Sequence, residues 1–129
     1  MKPILFAENK SKEDTITYTE SAKAQPPYTM DSEQMAPYGK SMQIGDTLSA
    51  DTVMKELLLF SANDSAYMIA DAVSGNSNTF VELMNKKLQE IGCKNTHFVN
   101  TNGIHDENHY TTAEDMAVIA RYCMKNEKF

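Results

Sequence analysis

A mainly α fold is predicted for this 129-residue chain by three features of its sequence. From Ser49 onward, apolar residues recur near the 3.6-residue period of a helix. The same part is punctuated by Gly75 and Gly92, placed where helices stop. Strand-like alternation is confined to Thr15-Ile16-Thr17-Tyr18-Thr19, so at most a short hairpin or strand is expected near the N-terminus. Residues 1–48 read as an irregular N-terminal part and residues 49–129 as a helical core, at a length that fits one domain.

Taken in order, Ile4, Leu5 and Phe6 followed by the polar run from Glu8 to Asp14 mark the end of a helix. The short strand comes next, and the stretch from Thr19 to Lys23 can begin one helical turn. Pro26, Pro27 and the polar residues up to Gly39 predict an irregular surface loop. Ser49 can cap a helix whose stripe is Val53, Met54, Leu57, Leu58 and Phe60. A second helix is expected over 63–73, stopping at Ser74-Gly75-Asn76, with Ala66, Met68, Ile69, Ala70 and Val73 toward a core. A third fits 78–91 with Gly92 at its end. Thr111 with Glu114 three residues on forms a capping-box pattern for a fourth, which carries Met116, Ala117, Ile119, Ala120 and Cys123.

Composition excludes several roles. A net charge of −6, from 18 acidic and 12 basic residues, disfavours a phosphate polymer as partner, and Lys10/Lys12 and Lys86/Lys87 read as solvated surface. No apolar stretch approaches the roughly 20 residues of a membrane span, and the first residues do not make a secretory signal. Most of the nine methionines fall on helical stripes as core filling. Cys93 and Cys123 are expected as buried thiols, since pairing requires a proximity that spacing alone cannot supply. His97, His105, His109 and Asp106 lie in a polar loop and not on one helix face, so no metal or other cofactor is expected; Asn102-Gly103 reads as a tight turn with the histidines bonding the loop or facing water.

Chemistry is concentrated where Leu57-Leu58-Leu59-Phe60 gives way to Ser61-Ala62-Asn63-Asp64-Ser65-Ala66, presenting Ser61 and Asn63 between two helices. Locally, both residues can be mere caps of the second helix. The wider order of features resembles a known family over nearly the whole chain. Gly45-Asp46-Thr47-Leu48 looks like its turn before the helix leading to a Ser-x-Asn element, here Ser61-Ala62-Asn63. Phe80-Val81-Glu82-Leu83-Met84-Asn85, Gly92-Cys93-Lys94-Asn95-Thr96-His97-Phe98-Val99-Asn100 and Asn108-His109-Tyr110-Thr111-Thr112-Ala113-Glu114-Asp115-Met116-Ala117 are similar in wording and spacing. On these segments the sequence resembles the S11 serine D-Ala-D-Ala carboxypeptidases, which are penicillin-binding proteins of cell-wall peptidoglycan.

That resemblance implies the helical subdomain of the serine β-lactamase/DD-peptidase-like fold, a partial domain of it. It implies that Ser61 relays a proton toward the leaving amine and that Asn63 hydrogen-bonds the substrate amide and helps orient a catalytic lysine. The substrate class would be stem peptides ending in D-Ala-D-Ala, and the location extracytoplasmic. In this family a serine of a Ser-x-x-Lys helix attacks the peptide carbonyl. No serine here has lysine three places on: Ser21 meets Ala24, and Ser11 meets Asp14. Thr52-Val53-Met54-Lys55 has the bare spacing but lies inside the helix before Ser-x-Asn. The chain also carries no Lys-Thr-Gly. It reads as a truncated, central portion, expected to be inactive alone and open to self-association through apolar surface that a sheet would cover. The rival expectations are a noncatalytic interaction module and a piece that completes a site in trans.

Overall fold

The computed structural model describes residues 1–26, 29–30 and 42–129. Helix α1 (Lys2–Asn9) is followed by β1 (Thr15–Thr17), the single turn α2 (Glu20–Lys23), β2 (Thr47–Ser49), α3 (Ala50–Lys55), a π-helical turn (Glu56–Phe60), α4 (Asn63–Ser74), α5 (Ser77–Glu90) and α6 (Ala113–Met124). The fold is mainly α, as the periodicity predicts. Most of the Pro-rich stretch, including residues 31–39, lies outside the described residues.

The strand at Thr15–Thr17 finds an antiparallel partner in Thr47–Ser49, with Ile16 opposite Leu48. Thr47-Leu48 is thus the end of a hairpin-like ladder as well as the exit from the Gly45 turn, where φ is +96°. Ser49 then ends the strand and caps α3 in one residue, its hydroxyl accepting from Thr52 N–H at 3.2 Å. Thr19 caps α2 and Asn76 caps α5 in the same manner.

Helix α4 is the hub, packing against α1, α2, α3, α5 and β1. Ala62, Ala66 and Ala70, four residues apart and all buried, let neighbours approach closely, while Met68 and Ile69 fill the space beside Phe6, Ile16, Tyr18, Val53 and Phe80. Each such large side chain contributes roughly 1.5–3 kcal/mol by leaving water. Asp71, further along α4, accepts from the hydroxyls of Thr19 and Ser21 and so fixes α2. A smaller cluster of Ile4, Leu88, Ile119 and Cys123 attaches α6 to α1 and α5.

Two sequence expectations change at the periphery. The cap of α6 is Thr112, whose hydroxyl accepts from Asp115 N–H at 3.1 Å. Thr111 does not cap, because its hydroxyl is 2.9 Å from that of Thr96 in the facing loop. On the stripes, Leu58 is 51% exposed and Met116 48%, so neither is core. The thiols are free, but only Cys123 is buried as expected; Cys93 is half-buried. Cys93 Sγ donates weakly to Asp115 O, near the start of α6, while Cys123 lies near its end.

Candidate functional site at the Ser61–Asn63 corner

The run Leu57-Leu58-Leu59-Phe60 does not continue α3 as an ordinary helix. It widens into a π turn whose closing bond runs from Ser61 N–H to Glu56 O, and Ala62 N–H approaches the same oxygen at 3.3 Å. Such wide turns recur at functional sites because they insert one residue and re-aim the residues beyond it. Here Leu57 stays buried while Leu59 is 86% exposed.

Ser61 sits at φ 61°, ψ 37°, the left-handed region, and is the one non-glycine residue with positive φ among the described residues. For a residue with a Cβ that conformation costs about 1–2 kcal/mol. Ala62 is extended and buried, and α4 begins at Asn63. The chain therefore reverses within two residues, leaving Ser61 exposed at the corner and Asn63 half-buried at the first position of α4.

Ser61 is not the N-cap of α4. The N-cap position is Ala62, which makes no side-chain cap bond, and the first turn of α4 is served by Asp64, whose Oδ1 accepts from Ser65 N–H at 2.9 Å. A carboxylate there also favours the positive end of the helix. Asp64 is fully buried and takes the Met30 N–H on both oxygens at 2.9 and 3.0 Å and the Tyr18 hydroxyl at 3.1 Å. Burial pushes its pKa up against the pull of these donors. Glu56, at the start of the π turn, is also pushed up, by burial first and then by the charge of Asp64.

Further residues complete the surroundings. Asn63 Nδ2 donates a long bond of 3.5 Å to Pro26 O. The neighbouring Gln25 spans from Ser21 O, to which it donates, to Asn102, whose Nδ2 donates to Gln25 Oε1 at 3.2 Å. Asn102 is presented by a turn in which Gly103, at φ +87°, donates its N–H to Asn100 Oδ1, as the Asn-Gly pair predicts. Asn63 and Asn102 thus attach to the adjacent residues Pro26 and Gln25. Gln25, Asp64 and Asn102 are not found by sequence reasoning, since only long-range pairing singles them out.

The histidines bond within their loop: His97 Nδ1 is 2.8 Å from Asn108 O, and His109 Nδ1 accepts from Val99 N–H at 3.2 Å. Burial, with the charge of Lys2, holds His109 below its usual pKa. A separate concavity of about 440 Å³ is lined by Phe6, Ala50, Met54, Leu58 and Phe129 with Lys10, Lys12, Lys55 and Lys128 around it; it includes neither Ser61 nor Asn63.

A profile described as D-alanyl-D-alanine carboxypeptidase, peptidase S11, matches residues 5–129. The D-alanyl-D-alanine carboxypeptidase DacF of Bacillus subtilis is 37% identical over 99 residues, 74% of this chain and 25% of that protein. DacA of Haemophilus influenzae is 34% identical over 66% of the chain and 22% of its own length. The chain spans about a quarter of these curated relatives. Among solved structures, the carboxypeptidase DacD from Francisella tularensis superposes with a TM-score of 0.82 at 27% identity, over 99% of this chain and 31% of that one. Penicillin binding protein 5 from Haemophilus influenzae gives 0.75 at 26%, over 98% and 38%.

Proposed function

The chain belongs to the D-alanyl-D-alanine carboxypeptidase family, peptidase S11, and from that premise we propose that Ser61 and Asn63 are the Ser-x-Asn corner of a site for peptidoglycan stem peptides ending in D-Ala-D-Ala. The observation that carries this reading is the geometry of Ser61: an exposed serine held left-handed at the end of a π turn, with no capping duty to explain it. In this role the Ser61 hydroxyl passes a proton toward the leaving amine, and the Asn63 carboxamide, which offers both donor and acceptor, holds the substrate amide and orients the lysine beside the nucleophile. Working as an envelope enzyme outside the cytoplasmic membrane follows from the same reading; no helix among the described residues is long and apolar enough to cross a membrane.

The sequence holds no Ser-x-x-Lys and no Lys-Thr-Gly. Losing the nucleophile of a serine hydrolase costs on the order of 10⁶ in turnover, so this chain by itself has no carboxypeptidase activity. The test is labelling with a fluorescent penicillin and mass spectrometry of the intact chain. The expected result is no adduct; an adduct on Ser61 would make it a nucleophile and overturn its assignment as relay.

A second reading, that the chain acts by assembling with another polypeptide or with itself, is favoured by the apolar concavity at Phe6, Met54 and Leu58 and by the exposure of Leu59. Sedimentation of the chain alone, and penicillin labelling after mixing with a polypeptide that bears Ser-x-x-Lys and Lys-Thr-Gly, separate these routes. A concentration-independent monomer that never supports labelling in the mixture would sink the assembly reading.

A further inference from the structure

Asn63 and Asp64 are consecutive, yet both reach the same remote stretch of chain. Asn63 Nδ2 points to Pro26 O, and the Asp64 carboxylate binds the Met30 N–H with both oxygens while also accepting from Tyr18. The Asn63 bond is at the limit of hydrogen-bond length and is weak by itself. The Met30 bonds, at 2.9 and 3.0 Å, are well within hydrogen-bond length, go to a carboxylate and are shielded from water, which makes them the stronger attachment. Asp64 is therefore the stronger of the two attachments.

We propose that Asp64 is a positioning residue, which holds the Met30 backbone at the start of α4 and thereby sets the orientation of Asn63, whose Nδ2 meets Pro26 O, and of the Gln25–Asn102 pair next in the chain to Pro26. There is a second strut: Gln25 donates to Ser21 O, so α2 holds Gln25 while Asp64 holds Met30. Asp71 provides an internal contrast. It lies on the same helix and also anchors a remote segment, but its bonds go to Thr19 and Ser21 and not to Met30. The value of the clasp for chemistry rests on the Ser-x-Asn reading; the clasp itself does not.

The experiment compares the ¹⁵N-labelled chain with its Asp64→Ala, Asp64→Asn and Asp71→Asn variants by NMR and amide hydrogen exchange. For Asp64→Ala, exchange at the Met30 amide is expected to rise by roughly 10- to 100-fold, as befits loss of a charge-assisted bond. The side-chain NH₂ signals of Asn63 and Asn102 should shift with it, while the Asn95 amide near α6 stays in place. Asp64→Asn keeps one acceptor oxygen and should restore part of the Met30 protection and of the Asn63 signal, a rescue that mere space-filling would not produce. Asp71→Asn should leave both Asn63 and Met30 unmoved. Unchanged Met30 exchange and Asn63 signals in a folded Asp64→Ala chain overturn the proposal. So does an equal shift of every signal in both Asp64 variants, or a shift of Asn63 in Asp71→Asn. Acylation enters none of these readouts, so the outcome of the penicillin experiment bears on the Ser-x-Asn reading and leaves this one to stand or fall separately.

Discussion

Helices α4 and α6 are each 12 residues long, and each carries a buried aspartate in its first turn that accepts from two backbone amides and a hydroxyl. Asp64 holds Met30, Ser65 and Tyr18; Asp115 holds Lys94, Asn95 and Thr96. Their affinities for a proton nevertheless move in opposite directions. Burial raises Asp64 despite its donors, whereas at Asp115 the Thr96 hydroxyl, aided by the two amides, outweighs burial and lowers the pKa. Similar hydrogen-bond partners therefore do not make similar groups. Asp64 opens the central helix with no exposure at all, whereas Asp115 is closed off by the one loop at residues 94–96, so the cost of removing charge from water is the larger influence only in the first case.

The same contrast of depth predicts the largest mutational effect. Ile69→Ala in α4 empties a site with no exposure in the main core and should cost about 2–5 kcal/mol, read by urea denaturation. Ile119→Ala in α6 removes a side chain from a cluster of four buried residues and should fall at or below the lower end of that range. Equal costs would break the picture of α6 as a peripheral helix.

A pH titration sharpens the comparison. Because Asp115 is lowered in the folded state, its contribution to stability is fully present above the usual carboxylate value of 3.8 and is lost as pH falls through its folded pKa. Asp64 is raised, so its contribution is greatest below 3.8 and is lost as pH rises through its folded pKa. Followed by NMR, the Asn95 amide should titrate below 3.8 and the Met30 amide above it. The reverse order would mean that hydrogen bonding, not depth, rules at Asp64.

The smallest effect expected is at the corner itself. Ser61→Gly relieves a left-handed residue of its Cβ and should stabilise the chain by about 0.5–1 kcal/mol, partly offset by the freedom glycine gains when unfolded. A loss of stability on thermal denaturation would show that the Ser61 side chain contributes to the fold, and would remove the reason to see it as strained for chemistry.

Much of this arrangement is legible in the residues. Ser49 caps α3, Gly75 ends α4 in the left-handed region at φ 82°, and Phe80, Met84 and Leu88 bury one face of α5 at four-residue spacing. The Ser61-Ala62-Asn63 element is legible as well, as a junction between two apolar runs. The capping residue of α6 is misread by one position, because Thr111 and Thr112 are equivalent locally and only the facing Thr96 distinguishes them. Leu58 fits an ideal helical stripe but is turned out by the π turn at the end of α3.

By itself, the sequence determined the helices, most of their ends and the family-like order of its motifs, since these depend on spacing and caps within a few residues. Only the tertiary structure decided that Asp64 is a buried anchor, that Asn102 pairs with Gln25, and that Ser61 takes a left-handed backbone. The first two depend on pairings between residues 34 to 77 positions apart in the chain, and the third on a π turn that an ordinary apolar stripe does not announce; a linear pattern carries no record of depth or of which distant amide will need an acceptor.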